Sequence, residues 1–407
     1  MNCSSANCPQ WLAERIVKAG GIISFHQYMD WALNDADHGA YSAGHLKLGK
    51  KGDFATSPSM GADFAELLAV QLVDWFQQLQ SKNVSGLPLS LIEVGPGEGD
   101  LAFQLIRVLE EIAPSIVTNL ELVMVDINKG MISKQRKLLS AISTVPVRWS
   151  SLEDLSRNPV VGIILANEIL DALPVERITF RDAELYRQGV KVEFSQSLPK
   201  LTVVDLPLPS LLSNCLVEIQ DLLDIKIPPS CCSNGWNTEL HTGLRPWLNK
   251  ASKSLLFGSL LIVDYALEAH RYYNSVRSSG TIMCYKSQVA SPDFFYYPGQ
   301  SDITSHLCID TLKLYAFENK WKFIGEVRQG QALLALGLAE RLNSLQRLPS
   351  SQLDVALSRR ENLLRLVDPA GLGDFRWFAF EIDNVIESNE QIITLDTRFL
   401  SNSPELF

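Results

Sequence analysis

The sequence predicts an α/β protein with a Rossmann-like parallel sheet and helices on both faces, preceded by a helical and loop-rich N-terminal region and interrupted by an inserted lobe. Three observations carry this. An apolar run from Leu89 to Val94 ends in a glycine-rich turn, Gly95-Pro96-Gly97-Glu98-Gly99, after which Leu101, Leu105, Val108, Leu109 and Ile112 recur at helical spacing. Further apolar runs follow, each ending in a carboxylate or amide: Leu120 to Asp126, Val160 to Glu168 and Gly258 to Asp264. Between the last two, residues 177–252 break the alternation of strand and helix with charged and proline-rich pieces such as LPLPSLL and KIPPSCCSNGW.

At 407 residues the chain is long enough for a large core in one enlarged domain or two closely joined ones. The expected organisation is an N-terminal helical cap and binding loop (1–85), the first part of the sheet core (86–176), an inserted substrate lobe (177–252), the rest of the core (253–345) and a C-terminal extension of edge strands (346–407). An apolar fraction of 46% and a charged fraction of 20% indicate a globular chain. A net charge of −10 argues against a general nucleic-acid binder, which needs a basic face. The seven cysteines show no CxxC pair and no zinc-like spacing, so no metal site is expected and a reducing compartment is the simpler setting. The first residues lack the apolar core of a signal peptide and carry Glu14, which points to the cytoplasm. No run reaches the roughly 18 apolar residues of a membrane helix.

Taken in order, Trp11 to Lys18 reads as a short amphipathic helix stopped by Gly20-Gly21, and a second begins after Ser24, a plausible N-cap. Residues 37–60 lack apolar periodicity and have the glycine, polar and aromatic composition of a binding loop or of a mobile surface loop. Within it Gly49 to Phe54 superficially suggests a phosphate loop, but the G-x-x-x-x-G-K-[ST] pattern is absent. Ser57 followed by Pro58 is expected to cap the next helix, whose stripe of Phe64, Leu67, Leu68, Leu72, Trp75, Phe76 and Leu79 belongs to the core.

In the glycine loop, Gly95, Gly97 and Gly99 let the backbone turn sharply and approach a ligand closely. A dinucleotide site wants G-x-G-x-x-G/A; here the third glycine comes one residue early, although Gly97, Gly99 and Ala102 keep a nicotinamide cofactor open. Glu93 ahead of the loop favours a ligand with positive charge, which suits the ammonium and sulfonium of S-adenosylmethionine better than pyrophosphate. Asp126 ends the second strand, where a doubly wound fold binds ribose hydroxyls, or it caps the next helix. Pro146 to Trp149 is a short third strand, and the turn at Ser150, Ser151 and Leu152 can set backbone groups beside an adenine edge or serve structure alone. After the fourth strand, Asn167, Glu168 and Asp171 fall where the ends of parallel strands open into a ligand crevice; Asp171 can also be a helix cap. His306 in the polar loop 297–306 is a candidate general base or a structural histidine. Residues 329–338 read as core helix or strand, 339–348 as helix, and 375–393 as edge strands.

The assembled motifs resemble the MidA-like family of class I S-adenosylmethionine-dependent methyltransferases, which includes mitochondrial complex I assembly factors. The segments that carry the resemblance are ISFHQYM, GKKGDFATSP, EVGPGEGDL, ANEILDALPVE, LIVDY, GTIMCY, PGQSDITSH and QGQALLALGLAERL, in that order between Gly20 and Leu345. It implies a class I methyltransferase sheet that binds S-adenosylmethionine. Glu93, Gly95, Pro96, Gly97 and Gly99 would hold the methionine part, Asp126 the ribose, and Ser151, Leu152 and Asn167 the rest of the cofactor. Asn167, Glu168 and Asp171 would border the transfer cleft, with Gly52, Asp53, Phe54, Thr56 and His306 closing over it. The implied acceptor is an arginine of a protein partner, with a complex I-type subunit as the substrate suggested by eukaryotic relatives. A noncatalytic assembly factor that uses the same fold to bind a partner is the alternative. The chain departs from the family at Ser59, Ala266 and Gln288, where relatives carry Glu, Gly and His, and has Asp126 where Glu is common.

Overall fold

The computed structural model describes residues 6–47, 49, 52–83, 86–194, 198–385 and 395–401. The expected phosphate-loop-like lysines Lys50 and Lys51 lie outside the described residues. The centre is a seven-stranded sheet of β1 (Leu89–Val94), β2 (Leu120–Val125), β3 (Val147–Ser150), β4 (Val160–Asn167), β5 (Leu255–Asp264), β6 (Lys322–Arg328) and β7 (Arg376–Asp383). Their spatial order is 3-2-1-4-5-7-6. Strands β1 to β5 are parallel to one another, whereas β7 runs antiparallel to both β5 and β6. The expected Rossmann-like class is therefore what the chain forms.

The two faces of the sheet follow from the period of two in its strands. Leu91, Leu122, Met124, Ile163 and Leu165 point to one side, onto the helices α1 (Ala62–Lys82) and α2 (Asp100–Ile112). Ile92, Val123, Ile164 and Ala166 point to the other, onto α4 (Leu244–Lys253) and α5 (Ile309–Glu318), with α3 (Lys129–Leu139) lying after β2. Covering both faces explains why β1 is buried at all six positions and could be read as an unbroken apolar run. The α1 stripe is core as expected, with Phe64, Leu72 and Phe76 fully shielded. Truncating one such aromatic costs about 3–5 kcal/mol.

A second, antiparallel sheet covers one end of the molecule. Glu176–Arg181, Glu184–Phe194, Pro199–Leu206 and Trp236–Leu240 form its hairpins, and two N-terminal strands, Ala6–Asn7 and Ile22–Ser24, add to it. The N-terminal region and the inserted segment thus share one sheet and one core, which includes Phe25, Tyr28, Val190, Leu201 and Phe295. Ser24 caps the helix Phe25–Asn34 as expected, its hydroxyl accepting the Gln27 N–H at 3.1 Å.

Several local expectations are corrected. Ser57 does not cap α1: the helix starts after Gly61, and the Ser57 hydroxyl donates to Gln329 Oε1 at 3.2 Å. Strand β7 is not an edge strand, because it inserts between β5 and β6 with its central residues Trp377 to Ile382 buried. Residues 386–394 lie outside the described residues. The helices Ser210–Leu223 and Leu353–Val367, the helix α5 and the strand β6 had no clear sequence signal. Among the described residues no helix is long and apolar enough to cross a membrane.

Candidate active site

A cavity of about 440 Å³ opens at the carboxyl ends of β1, β2 and β4. The strand order reverses between β1 and β4, and an open α/β sheet leaves a crevice at that point. Residues of the glycine loop, of the β2 and β4 ends and of the 37–60 loop all line this one space.

On the β1–β2 side, Glu93 is 4% exposed. One of its oxygens accepts the backbone N–H of Ala102 in the first turn of α2, and its Oε2 has no partner. Burial pushes its carboxyl up to about 8, with the Ala102 hydrogen bond opposing that rise. A buried carboxylate oxygen without a donor, on the wall of a cavity, is matched by a cation and mismatched by a phosphate. Gly95 follows with φ +64, and a Cβ there would come 2.3 Å from Ile169 Cδ1, so only glycine fits between β1 and the β4 turn. Pro96 and Gly97 continue the same wall.

Asp126 lies just past the end of β2. Its carboxylate accepts the Asn128 N–H at 2.8 Å and the Gln135 side-chain amide at 2.7 Å. Burial raises its pKa, and these hydrogen bonds oppose the shift. Ser151 is the N-cap of the short helix Leu152–Arg157, its hydroxyl accepting the Asp154 N–H at 3.0 Å, and both Ser151 and Leu152 line the cavity. Ile127 was missed from sequence. It lines the same space while 75% exposed, an apolar side chain left at the rim immediately after a strand-ending carboxylate. That juxtaposition was its available signal.

On the β4 side, Asn167 and Glu168 also line the cavity. Glu168 has φ +53, a conformation that costs a non-glycine residue about 1–3 kcal/mol and that turns its side chain out of the strand's alternation. Its Oε1 accepts the Ser57 N–H at 2.9 Å and the Asn167 amide at 3.3 Å. Burial pushes its carboxyl up to about 8 against the Ser57 bond, with Asp264 adding repulsion. The Asn167 Oδ1 is buried without a partner. Asp171 is close by but not on the cavity wall. Burial first, then Asp264, Asp302 and Glu168, raise its carboxyl well above the usual range. Asp264 explains the shape of this turn: fully buried, it accepts the N–H groups of Leu170, Asp171 and Tyr265 at 2.9, 3.2 and 2.8 Å.

The 37–60 loop forms the cover. Phe54 and Thr56 line the cavity, while Gly52 and Asp53 sit behind it as fasteners. Asp53 accepts the Lys47 N–H at 2.9 Å and the Ser287 N–H at 3.0 Å, and Gly52 O accepts the Gln288 side-chain amide at 2.8 Å. Tyr41, also missed from sequence, lines the cavity and hydrogen-bonds to Asp302. His306 lies outside the cavity lining, its ring 5.5 Å from that of Tyr265 and its pKa pushed down to about 4 by burial. The positions that depart from the family have local partners. Ser59 Oγ accepts the Thr56 N–H at 2.9 Å and donates to Thr56 O at 2.7 Å, Gln288 ties down Gly52, and Ala266 is packed in the core.

Residues 67–327 match the family described as "Putative S-adenosyl-L-methionine-dependent methyltransferase". The chain belongs to this family. It is an S-adenosylmethionine-dependent methyltransferase, and the unpartnered Glu93 oxygen and the glycine-only approach at Gly95 fit that cofactor. The methyltransferase is 25% identical to "Protein arginine methyltransferase NDUFAF7, mitochondrial" of Danio rerio, over 93% of this chain and 88% of the relative. The Drosophila melanogaster homolog of that protein is also 25% identical, over 87% and 80%. A Burkholderia thailandensis protein crystallised with S-adenosyl-homocysteine superposes with a TM-score of 0.77 at 26% identity, covering 93% of this methyltransferase and 92% of its own chain.

Proposed function

We propose that this methyltransferase modifies an arginine side chain of a protein partner. The observation that carries the reading is Glu168, a half-buried carboxylate fixed by Ser57 and Asn167 on the lining of the cavity that the glycine loop also lines. A carboxylate offers about four acceptor positions, so capacity remains beyond the Ser57 and Asn167 donors for an N–H of a guanidinium, whose charge suits it. The names of the relatives from Danio rerio and Drosophila melanogaster point to the same acceptor.

When bound, S-adenosylmethionine supplies a methyl group already activated by its sulfonium, so the protein's task is positioning and charge matching. Glu93 would match the ammonium of the methionine part, and Gly95, Pro96, Gly97 and Gly99 would allow its close approach. Asp126 would accept from the ribose hydroxyls. Ile127, Leu152 and Ser151 would hold the adenine. Asn167 has a buried, unpartnered Oδ1 that would serve the bound cofactor. Glu168 orients the guanidinium, and Asp171 behind it, its carboxyl raised by burial and by Asp264, belongs to the support of that turn. An ordinary carboxylate does not remove a proton from a guanidinium in the ground state, so Glu168 holds the nitrogen rather than ionising it. Phe54 and Thr56 exclude water above the reacting atoms, while Gly52 and Asp53 hold that cover in place. For the partner we infer a subunit of the respiratory complex I type, on the family resemblance, and for the compartment the cytoplasm, in keeping with six described cysteines that are all free thiols.

The test is incubation of the full chain with methyl-labelled S-adenosylmethionine and host lysate, followed by acid hydrolysis of the labelled protein. Label in methylarginine is the expected result. Label in another amino acid, or in none, contradicts the assignment of the acceptor.

A further inference from the structure

Gln135 lies on α3, one turn and a half below the end of β2, and does not line the cavity. It is nonetheless completely buried, and every polar atom of its amide is used. Its Nε2 donates to Gly97 O at 2.8 Å and to Asp126 Oδ2 at 2.7 Å, and its Oε1 accepts the Trp149 indole N–H at 2.9 Å. One side chain therefore joins the glycine loop, the carboxylate beyond β2 and the neighbouring strand β3. The orientation of the amide is settled by these partners. Flipped, it would set its oxygen against a carbonyl and a carboxylate and its NH₂ against an N–H donor. The stem packs under the loop, 3.5 Å from where a Cβ on Gly99 would lie.

We propose that Gln135 is a positioning residue for the cofactor: it fixes the Asp126 carboxylate in the rotamer that receives the ribose hydroxyls and locks that carboxylate to the glycine loop. The inference rests on the reading of Asp126 as the ribose acceptor. Asp126 Oδ1 accepts the Asn128 N–H and Oδ2 the Gln135 amide, and the Ile127 backbone and the Asn128 side chain also donate to it, so the carboxylate is directed and not free to rotate, with Gln135 the donor that comes from α3. Trp149 supplies the last constraint. Its indole N–H holds the Gln135 oxygen, which leaves the NH₂ no choice but to face Asp126 and Gly97. A buried, fully satisfied network of this kind gives orientation because a half-satisfied alternative costs more. Without Gln135 the carboxylate would lose a donor and its fixed direction, while the glycine loop keeps its own tie to β2 through the Gly95 N–H and Val125 O at 2.9 Å.

The experiment is calorimetric titration of the full chain with S-adenosylhomocysteine and with its 2′,3′-dideoxy analogue, for the wild type, Gln135→Met, Trp149→Phe and Asp126→Asn. Hydrogen bonds to a charged group correspond to roughly tenfold or more in affinity. The wild type is expected to bind the parent compound at least about tenfold tighter than the dideoxy analogue, and Asp126→Asn to lose most of that gap. Gln135→Met is expected to shrink the gap to within about threefold while changing the affinity for the dideoxy analogue by less than about twofold. A general structural defect would weaken both ligands alike, and that result, or a full gap in Gln135→Met, overturns the proposal. If Gln135→Met fails to fold, Trp149→Phe decides: it keeps the amide but frees it, and an undiminished gap overturns the proposal. Absence of any gap in the wild type removes the ribose reading of Asp126 and the proposal with it, whereas a wild-type gap that survives in Gln135→Met removes the proposal alone.

Discussion

On one wall of the cavity Glu93, Gly95 and Gly97 stand on a single strand and turn, whereas the wall beside it is assembled from distant segments. Glu168 is held by Ser57, 111 residues away in sequence, and its turn is anchored by Asp264, 94 residues from Leu170. The two walls differ in electrostatic construction as well. Glu93 is balanced by one helix N–H and has an oxygen in reserve, while Glu168 sits beside Asp171 and Asp264, carboxyls that burial also raises. A contiguous motif can make a cofactor cradle because the cofactor is constant. The wall proposed for the acceptor depends on how the loop 37–60, β4 and the segment around Asp264 come together, and so can vary with the partner.

Gly95 touches both walls and gives the largest expected effect. Gly95→Ala would place a methyl group 2.3 Å from Ile169 Cδ1 and force a non-glycine residue to φ +64. Strain of about 1–3 kcal/mol, together with the clash, is expected to weaken S-adenosylhomocysteine binding by about 100-fold in calorimetry. Affinity within about threefold of wild type would show that the two walls are not in register through this residue.

A smaller effect separates the walls by pH. Glu93 and Glu168 both titrate near 8 because of burial, so near neutral pH the free protein holds both mainly protonated. A raised carboxyl contributes stability that is present below its ordinary range of about 4.5 and is lost as the pH climbs towards 8. The ligand-free protein should therefore melt at a lower temperature at pH 8.5 than at pH 6. Cofactor binding should release a proton near pH 7, as Glu93 ionises against the ammonium, with affinity rising by up to about tenfold per pH unit between pH 6 and 8. Calorimetry in buffers of different ionisation enthalpy reads the proton directly. Proton uptake would contradict the assignment of Glu93, and Glu93→Gln should abolish the release while Glu168→Gln leaves it.

The smallest effect lies in the cover. Gln288→Ala removes an exposed side chain that holds Gly52 O, and through it the Phe54 and Thr56 backbone. Acceptor KM is expected to rise by about twofold to fivefold, with stability changed by less than about 0.5 kcal/mol. No change in KM would mean that Asp53 alone fastens the loop.

What could be read from the chain follows the same division. Leu89 to Ile112 declares strand, turn and helix locally, and the carboxylate at Asp126 and the amide at Asn167 mark strand ends, so the fold class and the residues that line this part of the cavity were legible. Gln135 was not, since a glutamine on a helix looks like solvent face until Trp149, Gly97 and Asp126 converge on it. Ser57 read as a helix cap because its bond to Gln329 spans 272 residues, and Tyr41 had no periodic neighbours to mark it. Strand β7 looked peripheral because its place between β5 and β6 is fixed by pairing on both sides and not by its own sequence.

The central claim is that the cavity has a cofactor wall and an acceptor wall, with Glu168 on the latter, and Glu168→Gln tests it most directly. S-adenosylhomocysteine titration and single-turnover methyl transfer to the acceptor found in labelled lysate should be measured on the same preparation. The account predicts cofactor affinity within about twofold of wild type and transfer slowed by about 100-fold, the scale of a lost charge-assisted contact to the reacting group. Unchanged transfer, or a loss of cofactor affinity that matches the loss of transfer, would contradict it.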